Sequence, residues 1–65
     1  MRLVKIDDRY INIDRVDVLS RSYMFGDATK DTNIYMGGSK QPFVVRENID
    51  EVVKIIEEAN DAISN

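Results

Sequence analysis

The residue types that most often perform catalysis are scarce in this chain of 65 residues. It contains no histidine and no cysteine, so the usual general base and the usual thiolate nucleophile are both missing. Ser20, Ser22 and Ser39 therefore have no histidine to activate them. The same absences remove the common zinc ligands and any disulfide framework. We expect a protein that is not an enzyme and that uses no cofactor and no metal.

Two pairs of carboxylates have the spacing of general acid and base pairs. Asp7 and Asp8 are adjacent, and Asp14 and Asp17 lie three residues apart. The first pair is typical of a tight turn, because short acidic side chains hydrogen-bond to nearby backbone. The second is typical of a cap followed by a solvent-facing strand residue. We interpret both pairs as structural.

Two loops resemble ligand sites but break the pattern that each site requires. Residues 27–31 alternate oxygen ligands like a calcium loop, yet Thr32 and Gly38 stand where an EF-hand needs glycine and glutamate. Residues 37–40 resemble a phosphate loop, but Pro42 and a predicted strand follow where a helix is required. Both segments are interpreted as surface loops.

A helix is predicted over residues 48–63. Asn48 is a favourable N-cap, and Glu51, three residues on, completes a capping box. Apolar residues recur at three- and four-residue spacing and form one face, while the opposite face is acidic. The apolar face comprises Ile49, Val52, Val53, Ile56, Ala59 or Asn60, and Ile63, widened by Ile55 and Ala62; the polar face comprises Asp50, Glu51, Lys54, Glu57, Glu58 and Asp61.

Short runs of β-branched and aromatic residues precede this helix and predict strands. Short connections favour antiparallel pairing, and the broken alternation at Val18-Leu19 indicates a bulge or a change of exposed face. The fold class is α+β: one domain, 1–65, with an antiparallel β-meander of four to five short strands and one C-terminal amphipathic helix packed on one face. The predicted strands are 3–6, 10–13, 16–20, 32–36 and 43–46. The third of them is expected to run on through 23–25, and Asp14-Arg15 is expected to form a turn or a single helical turn.

Size and charge indicate a protein that works through contacts. A domain of this length buries only roughly 60% of its unfolded surface, and small unstapled scaffolds often rely on oligomerisation. Residues 1–46 carry eight basic and six acidic side chains, whereas residues 47–65 carry one basic and six acidic. Such asymmetry can orient a partner or a second copy. We expect a homo-oligomer or a protein partner.

No apolar run exceeds three residues, which argues against a membrane-spanning helix and against the apolar core of a secretory signal. We therefore expect no membrane insertion and a cytoplasmic location.

Three segments of the chain resemble the small FlbD-like (SwrD-like) proteins of bacterial flagellar operons and similar short phage-encoded proteins. The matching segments are residues 10–14 (YINID), 31–36 (DTNIYM), and 43–48 (FVVREN) leading into 50–56 (DEVVKII). They cover 24 of the 65 residues. The resemblance implies a meander with one helix, and it transfers no catalytic residue.

Aromatic residues in the middle of the chain are the candidate binding site. We expect Tyr23, Phe25 and Tyr35 to form a row on the sheet face opposite the helix, with Met24 beside them, since the buried centre of a protein interface favours aromatic residues and Met. The predicted function is a non-enzymatic protein-interaction module. The alternative is a small nucleic-acid-binding or regulatory protein using the same face, although a net charge of −3 has the wrong sign for strong phosphate binding, which makes nucleic acid an unlikely partner.

Overall fold

The fold is α+β, as predicted, with five strands and one C-terminal helix in the part of the chain that the structure describes. The computed structural model describes residues 1–23 and 30–64, with side chains through Asp61. A 3-10 helix at Ile13–Arg15 occupies the predicted helical turn and ends the second strand one residue earlier than expected. The elements are β1 Leu3–Ile6, β2 Arg9–Asn12, β3 Val16–Arg21, β4 Thr32–Met36, β5 Phe43–Val45 and α1 Ile49–Ser64.

The strands form two antiparallel sheets, a division that the sequence analysis did not anticipate. The hairpin β1-β2 is one sheet, and β3-β4-β5 is the other. The 3-10 helix lies between β2 and β3, so the chain leaves the first sheet there and cannot continue as a hairpin. The meander-like order is kept within each sheet. Strand β3 ends at Arg21, and the predicted extension through Met24 and Phe25 lies outside the described residues.

A two-residue turn closes the hairpin and also anchors the second sheet. Ile6 pairs with Arg9, and Asp7 between them has φ of 59°, a left-handed conformation that Asp tolerates better than most residues. The carboxylate of Asp7 accepts the backbone N–H of Arg46 at 3.0 Å. The turn that reverses β1 into β2 therefore also binds the chain directly after β5.

An irregularity in β3 decides which of its side chains reach the core. The register with β4 shifts between Val16 and Val18, close to where the broken alternation indicated a bulge. Beyond the shift, Val18 pairs with Tyr35 and Leu19 with Ile34. Cross-strand partners share a face of a sheet, so the buried Ile34 places Leu19 on the core side and leaves Val18 on the open side.

The core lies where the hairpin, the larger sheet and the helix meet. Ile6, Ile34, Val45 and Val52 are fully buried, and each contributes about 1.5–3 kcal/mol through burial of its side chain. Helix α1 lies against β1 and β3. The remaining core side chains are Ile11, which is buried, and the partly buried Val4, Val16, Leu19, Met36, Ile55 and Ile56.

The helix has the predicted cap and the predicted amphipathic character. The side-chain oxygen of Asn48 accepts the N–H of Glu51 at 2.8 Å, and its carbonyl accepts the N–H of Val52 at 3.1 Å. Val52 faces the core, whereas the exposed face is charged. The exposed charged residues of the helix are Asp50, Lys54, Glu57, Glu58 and Asp61.

Replacing Asn48 with Ala should lower the free energy of unfolding by about 1 kcal/mol, because the N–H of Glu51 loses its acceptor. Urea denaturation followed by circular dichroism measures the loss. Asn48→Asp is the matched control, since Asp caps helices as well as Asn does. Equal stability of the Ala and Asp variants would contradict this role for the cap.

Arg2 ties the beginning of the chain to the 3-10 helix and to the end of α1. Its carbonyl accepts the N–H of Ile13 at 2.9 Å, and its N–H donates to the side chain of Asn12 at 3.3 Å. Its guanidinium donates to Asp14 at 2.6 Å and to Asn60 at 2.9 Å. The last turn of α1 has no basic residue of its own, so Arg2 supplies a cation at the end of the helix where the dipole favours one.

The hydrogen bond from the Arg2 guanidinium holds the pKa of Asp14 below its ordinary value of 3.8. A carboxylate with a depressed pKa in the folded state adds stability above its unfolded pKa and loses it as the pH falls through its folded pKa. We therefore expect Asp14→Asn to lower the urea midpoint at neutral pH, and the gap to the unmodified chain to close as the pH falls through the folded-state pKa of Asp14. Glu57→Gln, on the exposed helix face, is the control; a gap between Asp14→Asn and the parent that persists in acid would contradict the ionic origin.

Candidate protein interaction surface

One face of the larger sheet is left uncovered by the hairpin and the helix. Tyr35 pairs with Val18 on this face, and Asn33 pairs with Ser20 on β3 and with Val44 on β5. The amide of Asn33 donates to the hydroxyl of Ser20 at 3.4 Å. Val18 remains 53% exposed. The open face therefore presents an aromatic ring and aliphatic side chains around a small polar centre.

A cleft on the open face includes the end of β4. Met36 terminates that strand, and Gly37 and Gly38 turn the chain away from it. The N–H of Gly37 donates to the carbonyl of Arg15 at 2.7 Å, and Gly38 has φ of 78°, a conformation that glycine adopts without strain. Met36 is partly buried against the core and also borders this cleft. The cleft is lined by Asp17, Val18, Ser20, Tyr35, Met36 and Ser39.

A second cleft, here named the aromatic cleft, lies between the hairpin and the larger sheet. Tyr10 is 70% exposed and Phe43 is 46% exposed. Tyr10 pairs with Lys5 on the outward side of the hairpin, because its neighbour Ile11 points into the core. Phe43 is exposed because β5 is an edge strand. The aromatic cleft is lined by Arg9, Tyr10, Ile11, Asn12, Met36 and Phe43.

Arg9 shapes one wall of the aromatic cleft. Its guanidinium carbon lies 5.5 Å from the centre of the Phe43 ring, within the range of a cation–π contact. At an exposed site such a contact is worth about 0.5–1 kcal/mol. The contact holds a positive charge at the rim of an apolar depression without burying that charge.

Met36 lines both clefts. It shares the aromatic cleft with Tyr10 and Phe43, and it shares the cleft on the open face with Tyr35 and Val18. We call these five residues the aromatic-methionine surface. Aromatic residues, Met and Arg are enriched at the centres of protein interfaces, whereas Lys and Glu are depleted there. In this respect the composition resembles that of the centre of a protein interface.

The structure separates residues that the sequence analysis placed together. Tyr35 lies on the open face, but it pairs with Val18, at the far end of β3 from Tyr23. The ladder continues through the bond from the N–H of Ser22 to the carbonyl of Asp31, so Tyr23 lies roughly 15 Å from Tyr35 along the strand. Tyr23 is exposed. Met24 and Phe25, the other predicted partner-binding residues, lie outside the described residues.

Sequence reasoning missed Tyr10 and Phe43 as site residues. The alternation in β2 did place Tyr10 on the face opposite Ile11, which was a usable signal. Phe43 gave no comparable signal, because its exposure follows from the position of β5 at the edge of its sheet. That Met36 lines both clefts also depends on tertiary packing. The aromatic-methionine surface therefore combines one predicted residue, Tyr35, with four that were not predicted.

The free edge of β5 is protected against pairing with another strand. Pro42, which precedes it, has no N–H, and the N–H of Arg46 is bound by Asp7. In an extended strand, residues 42, 44 and 46 direct their backbone groups toward the same edge. Val44 therefore lies between two positions that cannot donate to a new strand. Such a short, blocked edge is typical of strands that avoid edge-to-edge association. The aromatic-methionine surface is therefore a better contact site than the edge.

Asp7→Gly should expose this edge, because glycine accepts the φ of 59° and frees the N–H of Arg46. We expect faster association at high protein concentration, measured by light scattering and thioflavin T fluorescence. Asp8→Gly is the matched control, since it changes the same turn and the same charge without removing the bond to Arg46. Equal association of the two variants would contradict edge protection by Asp7.

The serines and carboxylates that could do chemistry lie apart or have structural partners. The hydroxyl of Ser39 donates to the carbonyl of Gln41 at 3.0 Å, Ser20 accepts from Asn33, and Ser22 is buried beside Asp31. Within residues 1–23 and 30–64, no cluster of three or more acidic side chains is arranged to hold a metal ion. Over the same residues, no helix has the length and apolar character needed to cross a membrane.

Comparison with protein-family models, with curated proteins and with solved structures finds no match to this chain. The resemblance to the FlbD-like proteins therefore stays a prediction.

Proposed function

We propose that this protein is a non-enzymatic interaction module that binds a partner protein through the aromatic-methionine surface. The observation that carries the proposal is that Met36 lines both clefts and that Tyr10 and Phe43 are exposed in one of them. The exposed parts of these side chains leave apolar surface in water on a chain with a small core. Burying that surface against a partner would be favourable.

The size of the surface is compatible with a modest interface. An aromatic side chain can bury 150–250 Å², whereas a standard interface buries about 800 Å² on each partner. Tyr10, Tyr35 and Phe43 would therefore form its centre, and neighbouring residues its rim. Leu3, which is 52% exposed, lies with Lys5 on the outward face of the hairpin and extends the rim there.

Nucleic acid is the weaker alternative. Tyr10 and Phe43 beside Arg9 have the composition of a base-stacking platform, but Arg9 is the only charged residue among the six that line the aromatic cleft. Binding to nucleic acid depends on several cations that displace counterions from phosphates. One arginine at the cleft supports a protein partner better.

The proposal is tested by capturing a partner from the cells of origin, identifying it by mass spectrometry, and repeating the binding with both proteins purified. Changing Tyr10 and Phe43 together to Ser should reduce the affinity by at least about a hundredfold, as expected for two hot-spot residues. Far-ultraviolet circular dichroism should be unchanged, because both side chains lie outside the buried core.

Tyr23→Ser is the matched control, since Tyr23 is equally exposed but lies at the far end of β3. A purified partner that binds the double variant as well as it binds the parent chain would contradict the proposed surface. Capture that is abolished by nuclease, and that weakens steeply with salt, would support the nucleic-acid alternative instead.

A further inference from the structure

We infer that the segment bound in the aromatic cleft belongs to another protein and carries an apolar side chain flanked by carboxylates. This inference rests on the proposed function and specifies the chemistry of the partner. It follows from three features of the molecule: the composition of the aromatic cleft, the unpaired cations beside it, and the poor fit of a second copy of this chain.

The aromatic cleft combines an apolar interior with a positive rim. Ile11, Met36 and Phe43 supply its apolar lining, and Arg9 is its only charged lining residue. Its volume is about 310 Å³, close to the lower end of the range for ligand pockets. The cleft therefore has room for one or two side chains of a partner and not for a large cofactor.

The cations beside the cleft are available to a partner. The ion pairs among the described residues join Asp14 to Arg2 and to the N-terminal amine, and they involve neither Lys5 nor Arg9. Lys5 lies beside Tyr10 on the outward side of the hairpin. A carboxylate can form two parallel hydrogen bonds with the guanidinium of Arg9 while an adjacent apolar side chain enters the cleft.

The neighbouring carboxylates do not neutralise the rim. Asp7 and Asp8 line a separate depression on the other side of Arg9, together with Val44 and Arg46. Asp7 is already hydrogen-bonded to the N–H of Arg46. Arg46 also lines that depression, and among the described residues neither Asp7 nor Asp8 forms an ion pair with Arg9.

A second copy of this chain fits the cleft poorly. Two copies meeting face to face about a two-fold axis would bring both Lys5 and both Arg9 side chains together, and like charges across an interface oppose association. The exposed face of α1 offers carboxylates such as Glu57 and Glu58, but the exposed side chains described on it are all polar or charged. None of those side chains could fill an apolar depression. A different protein with both features is the better occupant.

Three capped pentapeptides test the inference: Glu-Leu-Glu-Phe-Glu, its lysine counterpart Lys-Leu-Lys-Phe-Lys, and the polar control Glu-Ser-Glu-Ser-Glu. Each is titrated into the full chain labelled with ¹⁵N, and amide shifts are followed by NMR. We expect the acidic apolar peptide to shift the amides of Arg9, Tyr10, Met36 and Phe43. It should bind about tenfold more tightly than the lysine peptide, and the serine peptide should not bind.

The variant Arg9→Glu should reverse the preference between the acidic and the lysine peptide. Arg9 is exposed, and the dispersion of the amide spectrum reports whether the variant is folded; Lys5→Glu provides a second variant in the same assay. Equal binding of the two charged peptides by the parent chain, or shifts confined to residues outside the aromatic cleft, would overturn the inference. So would concentration-dependent shifts at the cleft without peptide, because a second copy would then be the occupant.

These results are separable from those that test the proposed function. If the peptides bind without charge preference but a purified partner still requires Tyr10 and Phe43, the acidic segment is rejected and the interaction surface is kept. If a purified partner binds equally well when both aromatic residues are replaced, the interaction surface itself is rejected.

Discussion

The whole structure depends on one small apolar contact, where Ile6 of the hairpin, Ile34 and Val45 of the larger sheet, and Val52 of the helix are fully buried together. Two sheets and a helix share this single core, and no disulfide reinforces it. A domain of this size can bury only roughly 60% of its unfolded surface. Each strand therefore gives one face to the core and leaves the other in water. The exposed aromatic residues are a consequence of that limit.

Polar contacts hold the separate pieces in register around this core. Asp7 binds the chain after β5, Arg2 links the 3-10 helix to α1, and the hydroxyl of Thr32 donates to the carbonyl of Glu47 at 2.7 Å. A hydrogen bond of this kind contributes about 0.5–1.5 kcal/mol, which is less than the burial of one core isoleucine. Their main effect is on geometry, because they fix where the hairpin and the helix sit relative to the larger sheet. That placement opens the aromatic cleft between the two sheets.

On the aromatic-methionine surface and its rim, apolar area and charge come from different residues. Met36, Tyr10 and Phe43 offer apolar area that any hydrophobic partner could cover. Arg9, held over the Phe43 ring, adds a directional charge that favours carboxylates. At the same time Pro42 and Asp7 restrict the edge of β5, which would otherwise pair with almost any extended strand. Under the proposed function, selectivity would come from what the surface blocks as well as from what it exposes.

The sequence by itself determined the fold class, the approximate strands, the helix and its Asn48 cap, because these follow from local periodicity, turn residues and side-chain hydrogen bonds within a few positions. It also placed Tyr10 on the face opposite Ile11, and Tyr35 opposite Ile34. Only the tertiary structure decided that the strands divide into two sheets, that Tyr35 pairs with Val18 in the first half of β3 whereas Tyr23 follows the end of that strand, and that Met36 lines two clefts. Those features depend on strand register and on the packing of the hairpin against the sheet. Both are set by contacts between residues far apart in the chain, which no local pattern records.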